Sequence, residues 1–190
     1  MSKGKTLNSI LVSILVFLFF AAVITAAFLG PYFLPAVKYK KYVKKYSALN
    51  GLEPSLVFAV IKAESAGGRK KISDKGACGL MQLMPDTAEW VCCNENIRYE
   101  KEMLFDAEFN IRVGCAYLAY LKDKFLSEET AVAAYNAGEG NVSGWLKVED
   151  YSSDGVSLKK IPFPETEEYV KRVNKNKKVY RMFFKNDYSV

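Results

Sequence analysis

The residue types of this chain limit the chemistry that it can perform. Its 190 residues include no histidine, so neither a Ser-His-Asp or Cys-His nucleophile nor a histidine-ligated zinc site can form. Proton transfer would therefore fall to Asp, Glu, Tyr, Lys or Cys. Half of the residues are apolar and 14% are aromatic, which is enough to build the core of one domain of ordinary size.

Glu64 is the first candidate for proton transfer. On a helix predicted to begin at Pro54, the apolar face runs through Val57, Val60 and Ile61, and the same spacing places Glu64 on that face. Burial and the negative end of the helix dipole would both disfavour the charged carboxylate and raise its pKa, as a general acid near neutral pH requires. The alternative is a frayed helix end, where the carboxylate reaches water.

Three further segments combine glycine or proline with polar or aromatic side chains. They are Gly76–Pro85, Ala133–Gly140 and Ile161–Val170. The first contains the amide of Gln82 and the flexible apolar Met84, which together would suit a sugar with hydroxyl and N-acetyl groups. The other two contain Tyr135 and Tyr169, each of which, taken alone, is typical of a half-buried core tyrosine.

The spacing of apolar residues predicts a mainly α-helical domain that would position these segments. The predicted helices cover Lys38–Leu49, Pro54 to about Ala66, Asp86–Val91, Asp106–Phe125, Ser127–Ala137 and Glu165–Lys185. A strand is expected only around Val156–Phe163, where the signal is weak.

The N-terminal segment is apolar and uncharged from Leu7 to Leu29. As a helix it would span roughly 34 Å, enough to cross a bilayer, and Gly30-Pro31 and Pro35 are expected to end it. The chain would then consist of a cytoplasmic stub (1–6), a single transmembrane anchor (7–29), a linker (30–37) and the helical domain (38–190). A cleaved signal peptide is the alternative, but the length of the segment favours an uncleaved anchor.

Charge and cysteine content say less about function. The net charge of +6 favours anionic partners, but the basic residues are spread along the chain, so we expect no nucleic-acid partner. Four cysteines, Cys78, Cys92, Cys93 and Cys115, allow three complete pairings. Disulfides outside the cytoplasm and buried free thiols are both compatible with this pattern.

The motifs of the helical domain resemble those of the soluble lytic transglycosylase (SLT) domain family, whose fold is similar to goose-type lysozyme. The matching segments are Glu64-Ser65, Gly76–Pro85, Ala134–Gly138 and Pro164–Val170, in the order of the family. The run from Phe105 to Leu118 resembles the family's middle helix, and the resemblance covers roughly residues 40–185. There are two departures: Ala66-Gly67-Gly68-Arg69 stands where the family usually has an aromatic residue, and Asp106-Ala107 replaces Asp-Pro.

The resemblance implies cleavage of the β-1,4 bond between N-acetylmuramic acid and N-acetylglucosamine in peptidoglycan, with Glu64 as the catalytic acid. It also implies that six residues orient this acid or hold the glycan: Ser73, Gln82, Met84, Tyr135, Asn136 and Tyr169. No second carboxylate is evident beside Glu64, because Asp74, Asp86 and Glu139 suit solvated loops or helix caps. A single acid suffices if the muramoyl 6-hydroxyl attacks, which leaves a 1,6-anhydro end.

This function implies glycan strands as the partner and a location in the cell membrane with the domain on the extracytoplasmic face. The lysines on either side of the anchor favour the opposite orientation. The expected topology is therefore inferred from the implied function and not from these charges. Wall-assembly or secretion-machine proteins are further expected partners. Neither a metal nor an organic cofactor is expected, since no calcium-loop or phosphate-binding glycine motif is present. The alternatives are a hydrolytic muramidase, a non-catalytic wall-binding or assembly module, and a membrane-anchored scaffold that binds a protein.

Overall fold

In the computed structural model the backbone is described for residues 2–184, and side chains are described from residue 10 onward. Seven α-helices and one 3-10 helix account for most of this part, which contains no strand, so the mainly α prediction is confirmed. The helices are α1 (Ser2–Leu49), α2 (Pro54–Ser65), α3 (Pro85–Asn94), the 3-10 helix (Lys101–Phe105), α4 (Ala107–Phe125), α5 (Glu128–Ala137), α6 (Glu139–Trp145) and α7 (Pro164–Phe183). Met1 of the expected stub and residues 185–190 of the expected domain lie outside the described residues.

Helix α1 corrects the predicted boundary of the N-terminal segment. It continues through Gly30, Pro31 and Pro35, so the expectation that these residues end the helix is wrong, and residues 30–37, expected as a linker, are helical. A proline removes one backbone hydrogen bond and costs about 3 kcal/mol inside a helix. Helix formation is cooperative, however, and the long run of remaining bonds outweighs two such losses.

The apolar part of α1 is long enough to cross a membrane. Within Ile10–Leu49 the most apolar window has a mean hydropathy of 2.9, and none of it is buried in the protein. The chain divides into two compact units between Leu34 and Pro35. The second unit contains the last turns of α1 and all of the elements described below.

Helix α2 is deeply buried in the second unit. Pro54 occupies its first turn, and Ala66, with φ of 52°, ends it in the left-handed conformation, so the predicted bounds are confirmed. All residues from Leu56 to Ile61 are buried, which shows that other elements surround the helix and not only its predicted apolar face. Helix α7 packs against α2, and α5 joins α7 to α4.

Side chains cap the two middle helices, at the residues where these helices were predicted to begin. The Asp106 carboxylate accepts the Phe109 N–H at 2.9 Å and so begins α4, and the Ser127 hydroxyl accepts the Thr130 N–H and so begins α5. The 3-10 helix and α6 were not predicted, because five and seven residues are too short to show a helical period.

The strand expected at Val156–Phe163 is absent, and this prediction is wrong. The Asp154 carboxylate accepts the backbone N–H groups of Val156 and Ser157 at 2.8 and 2.7 Å, which folds this segment into a turn. The four cysteines are free thiols: Cys78, Cys92 and Cys115 are buried and Cys93 is exposed. Of the two alternatives for cysteine, the structure has the free thiols.

Candidate active site

Glu64 lies in the last turn of α2, at the wall of a cleft of about 580 Å³. Five of the residues predicted around it line the same cleft, namely Ser73, Gln82, Met84, Tyr135 and Asn136. The sixth, Tyr169, is buried in α7 and interacts electrostatically with the Glu64 carboxyl. The structure therefore brings all seven residues together, although they are spread over more than 100 positions of the sequence.

The surroundings of Glu64 favour its protonated form. Burial raises the pKa of Glu64 to about 7, while Tyr169, Lys71 and Arg172 act in the opposite direction without restoring the ordinary value. Lys71 donates its ammonium hydrogen bond to the backbone carbonyl of Glu64 and not to the carboxylate. The prediction of a raised pKa is confirmed, with burial as its main cause. The side chain is half-buried and faces the cleft, so its proton is accessible to a bound molecule.

Two tyrosines flank this carboxyl in different ways. Tyr135 donates its hydroxyl hydrogen bond to the Met81 carbonyl at 2.9 Å, which fixes the ring at the cleft wall. Among the described residues, none lies at normal hydrogen-bond distance and angle from the buried hydroxyl of Tyr169, but this hydroxyl is near enough to the Glu64 carboxyl to lower the pKa of that group. Burial raises the pKa of both phenols well above the usual value, so both remain neutral donors.

The loop Gly76–Pro85 is held against α2 and α4 by two polar residues whose roles the sequence did not reveal. Ser65 donates to the Leu80 carbonyl at 2.7 Å, which ties the end of α2 to the loop. Asn110 of α4 is fully buried. Its amide donates to the carbonyls of Cys78 and Leu104 and accepts the Met81 N–H at 2.8 Å. An amide on the apolar side of a helix is the signal that could have identified Asn110.

Gln82 is only partly available to a ligand. Its amide nitrogen donates to the backbone carbonyls of Lys71 and Gly79, at 3.1 and 2.8 Å, so both amide protons are used inside the protein. The side-chain carbonyl remains as the group that can accept a hydrogen bond from a ligand. The amide was expected both to donate to a ligand and to accept from it, and in the structure only acceptance remains possible.

The remaining predicted residues differ in how far their side chains are available to a ligand. The Ser73 hydroxyl accepts the Ala77 N–H at 3.0 Å and so shapes the turn at the cleft edge. The Asn136 carbonyl accepts the Thr166 hydroxyl at 2.8 Å, which joins α5 to α7. Met84 is 40% exposed at the edge of the cleft and offers a flexible apolar surface.

The segment after Ser65 differs from the family pattern for a structural reason. Gly67 has φ of +88°, and a Cβ atom there would lie 2.8 Å from the Pro35 side chain. The Gly67 carbonyl accepts the Tyr39 hydroxyl at 3.1 Å. The last turns of α1 therefore pack where the chain lacks the expected aromatic residue, and this close approach requires glycine.

Other carboxylates at the cleft are in different surroundings from Glu64. Asp74 and Glu165 line the cleft but are exposed, and Glu165 lies 3.9 Å from the Lys75 ammonium. Within residues 10–184, no group of three or more Cys, Asp or Glu side chains is arranged to hold a metal ion. The chemistry that this cleft offers is proton transfer from one carboxyl, supported by neutral hydrogen-bond donors and acceptors.

Comparison with known proteins identifies the family. Residues 41–155 match the model of the transglycosylase SLT domain. The chain belongs to this family. It is 38% identical over 149 residues to the soluble lytic murein transglycosylase of Escherichia coli, covering 76% of this chain and 23% of that protein. It is 32% identical over 174 residues to the membrane-bound lytic murein transglycosylase C of Serratia proteamaculans, covering 77% and 47%.

A solved SLT-family structure has the same fold. The lytic transglycosylase Slt of Pseudomonas aeruginosa, solved as an inactive mutant, superimposes with a TM-score of 0.70 and 34% identity, covering 77% of this chain and 24% of that one. The present chain thus spans about a quarter of the length of these two soluble relatives, from Escherichia coli and Pseudomonas aeruginosa. A membrane-bound relative and the apolar part of α1 together indicate membrane anchoring.

Proposed function

We propose that this chain is a peptidoglycan lytic transglycosylase that cleaves the β-1,4 bond between N-acetylmuramic acid and N-acetylglucosamine and leaves 1,6-anhydro ends. The observation that carries the proposal is the half-buried Glu64 carboxyl, with a pKa of about 7, at the wall of a cleft. Relatives named as murein transglycosylases support the substrate class. The Pseudomonas relative, in which replacement of a glutamate by glutamine gives an inactive mutant, supports the need for a carboxyl.

In the proposed mechanism Glu64 acts first as an acid and then as a base. Its carboxyl gives a proton to the glycosidic oxygen, and the bond between this oxygen and the muramoyl anomeric carbon breaks. The muramoyl 6-hydroxyl oxygen then bonds to the anomeric carbon and gives its proton to the Glu64 carboxylate, which restores the acid. Water is not consumed, and the two reacting atoms belong to one sugar, which lowers the entropic cost of the attack.

A raised pKa suits both steps. At neutral pH a carboxyl of ordinary pKa would have lost its proton, whereas Glu64 remains substantially protonated. Once it becomes a carboxylate, the neutral phenol of Tyr169 can donate to it, so that the charge is stabilised only after proton transfer. Tyr135 would hold the Met81 segment in place through its bond to the Met81 carbonyl.

The other cleft residues are proposed to hold the glycan. The Gln82 carbonyl can accept from the N–H of an N-acetyl group, because both Gln82 amide protons are already used. Asn136 keeps its amide NH₂ as a donor for a sugar oxygen, since its carbonyl accepts from Thr166. Ser73 would shape the cleft edge, and Met84 would pack against the apolar face of a sugar ring.

We further propose that α1 crosses the membrane once, with the domain on the extracytoplasmic face, where its substrate lies. Such a domain would act on the wall next to the membrane, alongside wall-assembly or secretion machines. Protease added to intact cells after removal of the wall should digest residues 35–190. Protection of the domain until the membrane is permeabilised would contradict this topology.

The function is tested by digesting purified wall sacculi with the full chain in detergent and measuring product masses. We expect muropeptides that are one water lighter than hydrolytic products and lack a reducing end. Products with only reducing ends would make the chain a hydrolytic muramidase. Binding to sacculi without any released product would make it a non-catalytic wall-binding module.

A further inference from the structure

Basic residues occur throughout this chain, but acidic residues begin only at Glu53. The whole net charge of +6 therefore comes from residues 1–52, which contain seven lysines, whereas acidic residues outnumber basic ones by one in the remainder. Five of the seven lysines form a basic segment, Lys38–Lys45, in the last turns of α1. They are Lys38, Lys40, Lys41, Lys44 and Lys45. The candidate active site does not use any of them.

The packing of α1 directs these lysines to solvent. Tyr39, Val43 and Tyr46 of the same turns are buried, and the Tyr39 hydroxyl donates to the Gly67 carbonyl at 3.1 Å. Helical spacing places the lysines on the sides of α1 that face away from these buried residues. All five lysines are exposed except Lys40, which is partly exposed. The fold thus presents several ammonium groups together on one surface.

Two of the lysines are held by the domain itself. The Lys45 ammonium lies 2.8 Å from the Glu108 carboxylate on α4, which neutralises its charge. The Lys40 ammonium lies 5.3 Å from the centroid of the Phe184 ring, at the end of α7. These contacts fix the basic segment to the domain. Lys38 and Lys41 are exposed, so they are the lysines best placed to meet a ligand.

The position of the basic segment in the sequence indicates which anion it meets. The chain has no charged residue between Lys5 and Lys38. A helix that inserts in a bilayer through this uncharged part keeps Lys38 and the lysines after it outside the hydrocarbon core, because a charged side chain is costly there. Lys38 is therefore the first charged side chain that reaches the layer of lipid headgroups. The long apolar stem of lysine allows its ammonium to reach that layer.

We propose that the basic segment binds the phosphates of anionic lipid headgroups at the surface of the membrane into which α1 inserts. An ammonium attracts phosphate as a point charge without a fixed geometry, which suits the fluid surface of a bilayer. Each lysine near such a surface favours anionic over neutral lipid by roughly fivefold. The proposal holds for either orientation of α1 and does not depend on the glycan chemistry.

Rates of lysine acetylation, measured by mass spectrometry, locate the lipid contacts in the full chain. The chain is reconstituted in nanodiscs of phosphatidylcholine alone or with about 30% phosphatidylglycerol. We expect Lys38 and Lys41 to react about fivefold more slowly in the anionic discs. This protection should disappear in about 1 M salt, which screens charges beyond a few ångströms. Lys147 and Lys160 are exposed internal controls, and their rates should be equal in the two kinds of disc.

A pair of double variants with the same net charge tests the location of the effect. The readout is the ratio of phosphatidylglycerol to phosphatidylcholine that the full chain retains from an equimolar mixture in detergent, measured by native mass spectrometry. Lys38→Gln/Lys41→Gln should lower this ratio by about tenfold. Lys147→Gln/Lys160→Gln is the matched control and should leave it unchanged. Lys38→Arg/Lys41→Arg should also retain the ratio, because the charge remains.

Equal acetylation rates in the two kinds of disc would overturn the proposal. Equal losses in the two glutamine variants would also overturn it, because net charge alone would then attract the lipid. Inorganic phosphate and soluble polyglycerol phosphate, each added to the neutral discs, test other sources of phosphate. Protection of Lys38 and Lys41 by either of them, to the level seen in the anionic discs, would replace the proposal with a site for free phosphate or for an anionic wall polymer. None of these readouts involves sugar cleavage, so their outcome is separate from the product masses that test the proposed function.

Discussion

The two ends of helix α2 each carry a glutamate, and their surroundings are opposite. Glu53 precedes the first turn and accepts two hydrogen bonds of 2.6 Å from the Arg181 guanidinium, with the Lys177 ammonium 3.1 Å away. Burial of Glu53 would raise its pKa, but the hydrogen bonds outweigh this and lower the pKa to about 2. Glu64 in the last turn has a pKa of about 7.

The difference shows that burial raises the pKa of Glu64, whereas charged hydrogen-bond partners outweigh the burial of Glu53. Both carboxyls lose contact with water, and only Glu53 receives charged donors in return. The helix dipole adds to the contrast, because it favours an anion at the start of α2 and disfavours one at its end. Glu53 thus contributes to the stability of the fold, whereas Glu64 keeps a proton available for chemistry.

The strongest test of this contrast is activity. Glu64→Gln should reduce release of muropeptides at least about a thousandfold, because the proton donor is lost. Glu53→Gln is the matched control, and its folded fraction should retain activity within about threefold. The measurement is the initial rate of product release from sacculi, corrected for folded protein by circular dichroism. Equal losses in the two variants would remove the proposed distinction.

For the free energy of unfolding, the Glu53 substitution should be the more damaging of the two, the reverse of the order for activity. Glu53→Gln removes a carboxylate partner of Arg181 and of the mostly buried Lys177, which keeps Glu128. From the lowered pKa of Glu53, the loss should reduce the free energy of unfolding by about 3 kcal/mol at pH 7. Because the folded pKa of Glu53 is depressed, this contribution is present above about pH 4.5 and is lost as the pH falls towards 2. Urea unfolding at several pH values measures it. A difference that persists at pH 2 would contradict the ion-pair explanation.

Glu64→Gln should have a smaller effect of the opposite sign. At pH 8 the folded chain must hold a poorly solvated carboxylate, so the variant should be more stable than the parent by about 2 kcal/mol. The folded pKa is raised, so the parent recovers this stability as the pH falls from about 7 to about 4.5, and the difference should shrink over the same range. Thermal unfolding at pH 4.5 and pH 8 compares the two chains. A variant that is less stable at pH 8 would show that the carboxylate has partners that stabilise it.

The smallest expected effect is a shift in the pH profile. The rate should fall above about pH 7 as Glu64 loses its proton. Tyr169→Phe removes a group that lowers the pKa of Glu64, so the midpoint of this fall should move upward by about half a pH unit. Tyr135→Phe, whose hydroxyl bonds to Met81, should leave the midpoint unchanged. A downward shift in Tyr169→Phe would reverse the assigned direction.

The sequence predicted those features that depend on local pattern. The spacing of apolar residues placed Glu64 on α2 and predicted that α4 and α5 begin at Asp106 and Ser127, the residues that cap them in the structure. The prolines near the N-terminus led to a wrong helix end, because α1 continues as a helix through Pro31 and Pro35. Short elements such as α6 leave no periodic signal.

The supporting contacts of the site could not be predicted from local pattern. Ser65 contacts Leu80, and Asn110 contacts both Cys78 and Leu104. These partners come together only when α2, the glycine-rich loop and α4 have packed. The sequence likewise suggested that the Gln82 amide could both donate to a sugar and accept from it. In the folded chain, however, backbone carbonyls accept both of its amide protons.

Two glycines that pack at the glycine-rich loop, Gly79 within it and Gly114 on α4, restrict how this chain could be redesigned. A Cβ atom on Gly79 would lie 2.3 Å from the Asn110 amide nitrogen, and one on Gly114 would lie 2.4 Å from the Met81 sulfur. Neither position accepts even alanine without displacing its neighbours. Directed evolution of the proposed glycan preference would therefore have to draw its variation from exposed cleft residues such as Met84, because the packing behind the Gly76–Pro85 loop tolerates no added side chain.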